Sequence, residues 1–519
     1  MDKPKILWAD DEIDLLRPHI LFLNEKGYEV ITATNGNDAI DLISRQHFDI
    51  VFLDEHMPGP SGLQTLSRIK THAPEVPVVM VTKSEDEGIM DEAIGSKIAD
   101  YLIKPVKPHQ LLLALKKNLE KQRLVDEKTS LNYQQEFRHI GSLLNEKLNA
   151  ADWIDIYRKL VYWELELENL QDRSIYEVLT LQKDEARLQF SRFVEKHYLQ
   201  WLHRPDEHTP LLSPQLFKKK VFPVMEATPH PVFFILIDNL RLDQWKVIYP
   251  FLSELYTPEE DSCYYSILPT ATQYARNALF AGLMPSEIEK LYPDKWIYED
   301  EEEGKNLYEE FFVAEQLKRF GKTLTFRYFK ITDNIRGKEL ADSVNHLFQT
   351  KLNVIVYNFV DLLSHARTDM KIIRELAEDE PAYRSLTRSW FAHSPLLEAI
   401  RKMSEKPCTL IITTDHGSIR VKTPSKIIGD RQTSTNLRYK QGKNLSYEKK
   451  DVMEVRNPAD AFLPRPNVST VYVFIKHDKF FVYPNNYHYY VNHYRNTFQH
   501  GGISPEEMII PFAVMQSKA

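Results

Sequence analysis

Five short apolar runs alternate with helix-length amphipathic stretches over the first 120 residues, and few folds accept that pattern. The runs are Lys5–Asp10, Glu29–Ala33, Ile50–Asp54, Val76–Thr82 and Asp100–Lys104. Strands separated by helices predict a parallel sheet covered on both faces. Five such units suggest a flavodoxin-like order, with ligands held along the carboxyl edge of the strands. Asp10 and Asp11 follow the first run, Asp54 the third, Thr82 the fourth and Lys104 the fifth, so these side chains should converge. Clustered carboxylates suit Mg²⁺, a hard cation that prefers oxygen ligands. A phosphoryl group arriving at Asp54 would present oxygens that Mg²⁺, Lys104 and the Thr82 hydroxyl can stabilise. Pro105 is a candidate for a cis bond that aims Lys104.

After about residue 120 the texture changes. Glycine almost vanishes, and Ile156, Leu160, Trp163, Leu167 and Leu170 recur at helical spacing. Ser174 and Glu177 form a plausible capping box for a second helix running to about Trp201. Residues 121–205 therefore read as a helical bundle linker. From residue 206 prolines mark a connection, and α/β texture returns to residue 519. Buried-strand candidates Val232–Asp238, Asn353–Asp361 and Thr409–Asp415 each end in an aspartate. Ser418 to about Pro466 reads as an irregular insertion or lid, and the acidic run Glu299–Glu303 as a solvated face.

The 519 residues suggest two to four domains, and 43% hydrophobic with 27% charged residues fits a soluble globular protein. A net charge of −8 argues against a surface built wholly for nucleic acid. Cys263 and Cys408 lack metal-ligand spacing and read as reduced thiols. The N-terminus has no apolar signal core, and no stretch approaches the ~18 apolar residues of a spanning helix, so a cytoplasmic protein without membrane insertion is expected. No helix-turn-helix pattern follows the first domain, which leaves a DNA-reading output without support.

The last 300 or so residues offer metal ligands instead. Asp238 ends one strand, Asp361 another with His365 four residues on, and Asp415 and His416 a third; His500 lies in QHGG, where glycines allow close backbone approach. Aspartate and histidine together suit Zn²⁺ or Mn²⁺, and two such ions can clamp both oxygens of an in-line displacement at phosphorus. Thr272, directly before a helical stretch, is the candidate nucleophile, with Thr270 its rival. Arg276, one turn along, could hold a phosphoryl oxygen. His488 and His493 compete with His500.

Across about 120 residues, LDEHMPGPSG around Asp54 and YLIKP around Lys104 resemble the CheY-like receiver family. That resemblance implies that Asp54 accepts phosphate from a sensor histidine kinase, that Asp10 and Asp11 hold Mg²⁺, and that Thr82 and Tyr101 form the switch pair. Receivers of this kind commonly form a homodimer on phosphorylation. The ordered set Asp238, Thr272, Asp361, His365, Asp415, His416 and His500 resembles the PglZ branch of the alkaline phosphatase superfamily. On that pattern Asp238, Thr272, Asp415 and His416 would bind one zinc, and Asp361, His365 and His500 the other. The whole architecture resembles response regulators associated with type IX secretion in Bacteroidota.

Between Ser418 and Lys450 nine Lys or Arg face only Asp430 and Glu448, and Tyr487, Tyr489, Tyr490 and Tyr494 cluster near His500. Positive charge with stacking rings favours a nucleotide or oligonucleotide phosphodiester. The alternatives are a phosphomonoesterase, or a phosphorylation-switched module that binds a sigma factor or a secretion component.

Overall fold

The N-terminal apolar runs form β1 (Lys5–Ala9), β2 (Glu29–Ala33), β3 (Ile50–Leu53), β4 (Val78–Thr82) and β5 (Asp100–Ile103) in a computed structural model. It describes residues 3–83, 98–168, 170, 173–298, 306–361, 363, 377, 379–430 and 433–519. The five strands are parallel in the order β2-β1-β3-β4-β5, the flavodoxin-like order that the run spacing predicts. Alternate side chains serve opposite faces. Ile6, Trp8, Phe52, Val79 and Val81 join one core, and Leu7, Ala9, Val51, Leu53 and Met80 the other. Both faces of β1, β3 and β4 are buried, which is why those runs are continuously apolar rather than alternating. His365, Arg431 and the acidic run Glu299–Glu303 lie outside the described residues.

Residues 1–134 and 135–519 are two compact units, and helix Pro108–Leu144 contains the boundary. In the second unit, helix Ala150–Leu167 starts at a capping box of Asn149 and Asp152 and buries Trp153, Ile156, Leu160 and Leu167. The next helix spans Arg173–His203, so Ser174 lies inside it and is not the expected N-cap. Trp153, Phe190, Phe193 and Trp201 pack as one aromatic cluster with Tyr265 of the effector sheet.

That sheet contains β6 (Val232–Ile237), β7 (Tyr256–Tyr265), β8 (Phe326–Ile331), β9 (Leu352–Tyr357), β10 (Thr409–Thr413) and the C-terminal strand Ile509–Ser517. The order is β7, the C-terminal strand, β10, β6, β9, β8. Strands β10, β6, β9 and β8 are mutually parallel. Thr413 pairs with Leu236 and Ile237 with Tyr357, so three carboxyl ends finish level. Every residue of β6 is buried, and each large apolar side chain so buried stabilises the fold by ~1.5–3 kcal/mol.

Two expectations change here. Strand β9 stops at Tyr357, and Asp361 sits one turn later in helical backbone rather than at the strand end. The expected lid is β-structured: Thr423–Ile428, Tyr439–Gly442 and Val452–Val455 pair with Val471–Ile475, Lys479–Val482 and Ser446–Tyr447 in small sheets. Its polar composition hid β-branched residues such as Ile427 and Val452, which pack with Val473 and Phe481 from strands beyond the segment.

Candidate functional site

The carboxyl edge of the first sheet gathers the expected groups. Lys104 Nζ lies 2.7 Å from Asp10 Oδ2 and 2.7 Å from Asp54 Oδ2. The Lys104–Pro105 bond is cis, as the sequence suggested. Asp10, Asp11 and Asp54 each offer an oxygen within 4.8 Å of the others, which suits a hard divalent cation. Burial raises the Asp10 carboxyl above its ordinary range against the opposing pull of Lys104. Asp54 Oδ1 is buried without a hydrogen-bond partner, so one carboxylate oxygen is held by lysine and the other is left for chemistry. Thr82 is fully buried and Tyr101 packs partly buried against the core containing Leu53 and Met80.

The second site lies where β6, β9 and β10 end. Asp238, Asp415 and His416 are buried, and one ligand atom from each falls within 4.8 Å of the others. Thr272 opens helix Thr272–Ala281, and its hydroxyl lies 3.0 Å from His416 Nε2. His416 Nδ1 is 3.1 Å from the Gly417 carbonyl, so it carries the proton and leaves the Nε2 lone pair facing the cluster. His500 follows the same logic. Its Nδ1 lies 3.2 Å from the Thr270 carbonyl, and its Nε2 faces Asp361 Oδ1 at 3.6 Å. The glycines after each histidine are needed: a Cβ on Gly417 would stand 2.1 Å from the Glu506 carbonyl, and Gly501 has φ 122°.

The rival residues separate cleanly. Thr270 donates to the Gly502 carbonyl at 2.9 Å and accepts from Gly501 N–H at 3.1 Å, which fixes the loop and takes up its hydroxyl. His488 and His493 belong to helix Tyr487–Tyr494, where His493 stacks on Tyr489. Arg276 departs from its expected contact with a phosphoryl oxygen. It is fully buried, with Nε 3.0 Å from Asp415 Oδ2, a further bond to Asp238, and Glu309 at 3.4 Å. Its guanidinium is thus engaged by three carboxylates, two of them from the candidate ligands Asp238 and Asp415. Burial raises Asp238 well above the carboxylate range despite Arg276, whereas Arg276 overcomes burial to hold Asp415 below it. Asp238 Oδ1 is buried without a hydrogen-bond partner, an arrangement that a cation would satisfy.

Two contributors escaped the sequence reading. Asn239, in left-handed backbone at φ 62°, donates its N–H to Asp415 Oδ1 at 3.4 Å and its amide to Asp361 Oδ1 at 3.3 Å, bridging both ligand groups. An asparagine after a strand-end aspartate was the available signal. Glu309 carried none, because it looks like any other glutamate at a helix start. The basic segment is also smaller than its composition implies. Arg438 is fully buried against Glu507 at 2.6 Å, and Lys440 is buried, donating to the Ser434 carbonyl at 2.7 Å.

A third acidic group, Glu164, Asp243 and Glu380, is an ion-pair network. Arg384 reaches Glu164 at 3.0 Å, Glu168 at 2.6 Å and Asp243 at 3.0 Å; Arg241 reaches Glu380 at 2.9 Å; Arg187 reaches Glu506 at 2.7 Å. Glu164 and Glu168 of one linker helix thus pair with Arg384 of helix Glu380–Ala392, and Arg187 of the other with Glu506, while Arg384 and Arg241 tie Asp243 and Glu380 into the same network. Although burial opposes it, Arg241 and Arg384 hold the Asp243 carboxyl at about 2.

Three family descriptions match in order: the response regulator receiver domain over residues 6–116, the PorX response regulator linker domain over 123–202, and the BREX system PglZ alkaline phosphatase-like domain over 216–515. Curated relatives match in the first part. The alginate biosynthesis transcriptional regulatory protein AlgB of Pseudomonas syringae pv. tomato is 40% identical over 120 residues, 23% of this chain and 27% of that protein. AlgB of Pseudomonas aeruginosa is 38% identical over the same shares. The chain thus spans about a quarter of the length of these relatives. Among solved structures, the receiver domain of NtrX from Brucella abortus is 33% identical, covering 22% of this chain and 98% of that one, with a TM-score of 0.21. A signal receiver domain from Pseudomonas fluorescens Pf-5 is 30% identical, covering 23% and 98%, with a TM-score of 0.23. No helix among the described residues is long and apolar enough to cross a membrane.

Proposed function

This chain belongs to the PglZ alkaline phosphatase-like family, with a response-regulator receiver and a PorX-type linker ahead of the family domain, and from that premise we propose that it is a phosphorylation-controlled, zinc-dependent phosphodiesterase acting on nucleotide or oligonucleotide esters. The observation that carries the reading is the Thr272 hydroxyl, 3.0 Å from His416 Nε2 beside two buried aspartates. Asp238, Asp415, His416 and Thr272 would hold one ion, and Asp361 and His500, with His365, the other. Bound dications would lower the pKa of the threonine hydroxyl and neutralise charge on the attacked phosphoryl group. The protein's own part is to orient Thr272 at the start of its helix, where backbone N–H groups favour a phosphoryl oxygen. Arg276 keeps Asp238 and Asp415 in register as ligands.

Two further readings accompany this one. Asp54 receives the phosphoryl group from a sensor histidine kinase, with Mg²⁺ held by Asp10 and Asp11, and the change is read out as homodimerisation. The linker's match to the PorX response regulator supports a role in type IX secretion, in which a sigma factor or a secretion component would be a partner. The deciding experiment assays metal-loaded protein on a chromogenic diester, a chromogenic monoester and short oligonucleotides. Diester cleavage that chelation abolishes is expected. Efficient monoester cleavage with every diester left intact overturns the diesterase reading.

A further inference from the structure

Helix Tyr487–Tyr494 exposes more aromatic surface than its own packing uses. Val491, with Tyr487 and Tyr494 partly buried, packs against Ile419, Val421, Phe480 and Val482. The remaining rings look outward: Tyr489 is 65% exposed and Tyr490 38%. They are ordered in pairs one turn apart. Tyr489 and His493 stack with centroids at 6.0 Å and planes 8° apart, and Tyr490 and Tyr494 at 6.1 Å and 9°. Beside them is a cavity of about 560 Å³ lined by Lys426, Pro484, Asn486, Tyr487, His488 and Tyr489. Lys426 Nζ stands 5.2 Å over the Tyr487 ring.

The charge around this surface is unusual for the chain. No aspartate or glutamate occurs between Asp478 and Glu506, and the cavity lining contains no carboxylate, although the whole protein carries −8. A polyanion is repelled by most of such a molecule and tolerated where acid is absent. Flat rings with a nearby ammonium match a ligand with a π face and a phosphate. Stacking on tyrosine does not discriminate among bases, because each base has a π face. His500 follows the helix after only five intervening residues, through the short strand Phe498–Gln499. The helix that carries the rings is therefore joined by a short stretch of chain to a candidate ligand of the second ion.

We propose that helix Tyr487–Tyr494 and the adjoining cavity form a base-stacking subsite that holds a nucleotide of single-stranded oligonucleotide, with Lys426 on its phosphate. This subsite rests on the phosphodiesterase reading for its purpose, but not for its test. The full chain is prepared as wild type, as the Tyr489→Ala/Tyr490→Ala double variant, as Lys426→Gln, and as Tyr489→Trp. Binding of a fluorescently labelled oligothymidylate is followed by anisotropy after chelation, so no turnover is needed. The double variant should bind at least roughly tenfold more weakly, Lys426→Gln should weaken binding and flatten its salt dependence, and Tyr489→Trp should retain it. With metal restored, the ratio of kcat/KM for oligonucleotide to that for a small chromogenic diester should fall in the double variant. Circular dichroism and thermal melting check that the exposed substitutions leave the fold intact. Wild-type affinity in the double variant, or no oligothymidylate binding by the wild type, overturns the subsite. Weakened oligonucleotide binding in a protein that cleaves no diester leaves the subsite standing and removes the enzymatic reading.

Discussion

The imidazoles of His416 and His500 lie face to face, with centroids 4.2 Å apart and planes 19° from parallel. Each donates its Nδ1 proton to a backbone carbonyl, and each presents Nε2 to a different carboxylate group. Rings held this way would bring two donor sets side by side, an arrangement suited to a two-ion phosphoryl-transfer centre.

Purified without chelator, the protein should therefore carry two transition-metal ions per chain. His416→Ala should lower the occupancy of one site and leave much of the other, and His500→Ala should do the reverse. Elemental analysis of the three proteins checks this. A wild type carrying no transition metal defeats the assignment.

Thr272→Val removes a hydroxyl while keeping size and β-branching. If that oxygen attacks phosphorus, turnover should fall by ~10²-fold or more with metal occupancy largely kept. Thr270→Val should behave differently, because its hydroxyl bonds two glycine backbone groups. It leaves the buried Gly501 N–H without that acceptor and should cost about 1–3 kcal/mol of stability. Full activity in Thr272→Val sinks the nucleophile assignment.

Arg276→Ala tests the positioning role. It strands Asp238 and Asp415 as buried carboxylates without their shared guanidinium, and losing one partner of a buried pair costs about 3–5 kcal/mol. The variant should melt well below the wild type when metal-free and recover part of that loss when Zn²⁺ is added. Equal melting temperatures with and without metal, both near the wild type's, would contradict it.

Much of this arrangement was legible because strand-end chemistry is local. Asp10, Asp54, Asp238 and Asp415 each follow a continuous apolar run, and parallel strands bring such positions to one edge whatever the intervening sequence. The roles of Arg276 and Lys440 were not legible. Whether a cation faces a substrate, a carboxylate or a backbone carbonyl depends on residues far away in the chain, such as Glu309 for Arg276. The β-structure within Ser418–Pro466 was hidden for a related reason: its short strands pair with Val471–Ile475 and Lys479–Val482, which lie beyond the segment. Ser174 misled because a capping sequence also fits one residue inside a helix start.

The linker–effector ion network predicts acid sensitivity. Arg and Lys neighbours hold Asp243, Glu380 and Glu506 below their ordinary values in spite of burial, while burial raises Glu168. A depressed folded pKa contributes stability that is present above the unfolded value, near 4, and is lost as pH falls through the folded one. Thermal stability should therefore drop between about pH 4.5 and 2, with Glu168 offsetting part of the slope. Glu380→Gln should be less stable at neutral pH and show a shallower acid limb. An unchanged limb, measured by melting across that range, refutes the role given to Glu380.

The last prediction concerns the phosphoacceptor. Lys104 holds Asp54 Oδ2 and Asp10 Oδ2 at 2.7 Å each, while Asp54 Oδ1 is buried and unpartnered. Attack by Asp54 on a phosphodonor replaces carboxylate charge with phosphoryl charge beside the same ammonium and the fully buried Thr82. Drawing the Thr82 hydroxyl toward that group would leave space for Tyr101, which packs partly buried against Leu53 and Met80. Incubation with acetyl phosphate and Mg²⁺ should yield an acid-stable, base-labile phosphate on the wild type and none on Asp54→Asn. Light scattering should then show mass rising toward a dimer only where phosphate is present, and Tyr101→Ala should retain the phosphate with an altered mass response. Stoichiometric phosphate on Asp54 with an unchanged monomer mass rules out dimerisation as the readout, and phosphate on Asp54→Asn rules out the acceptor.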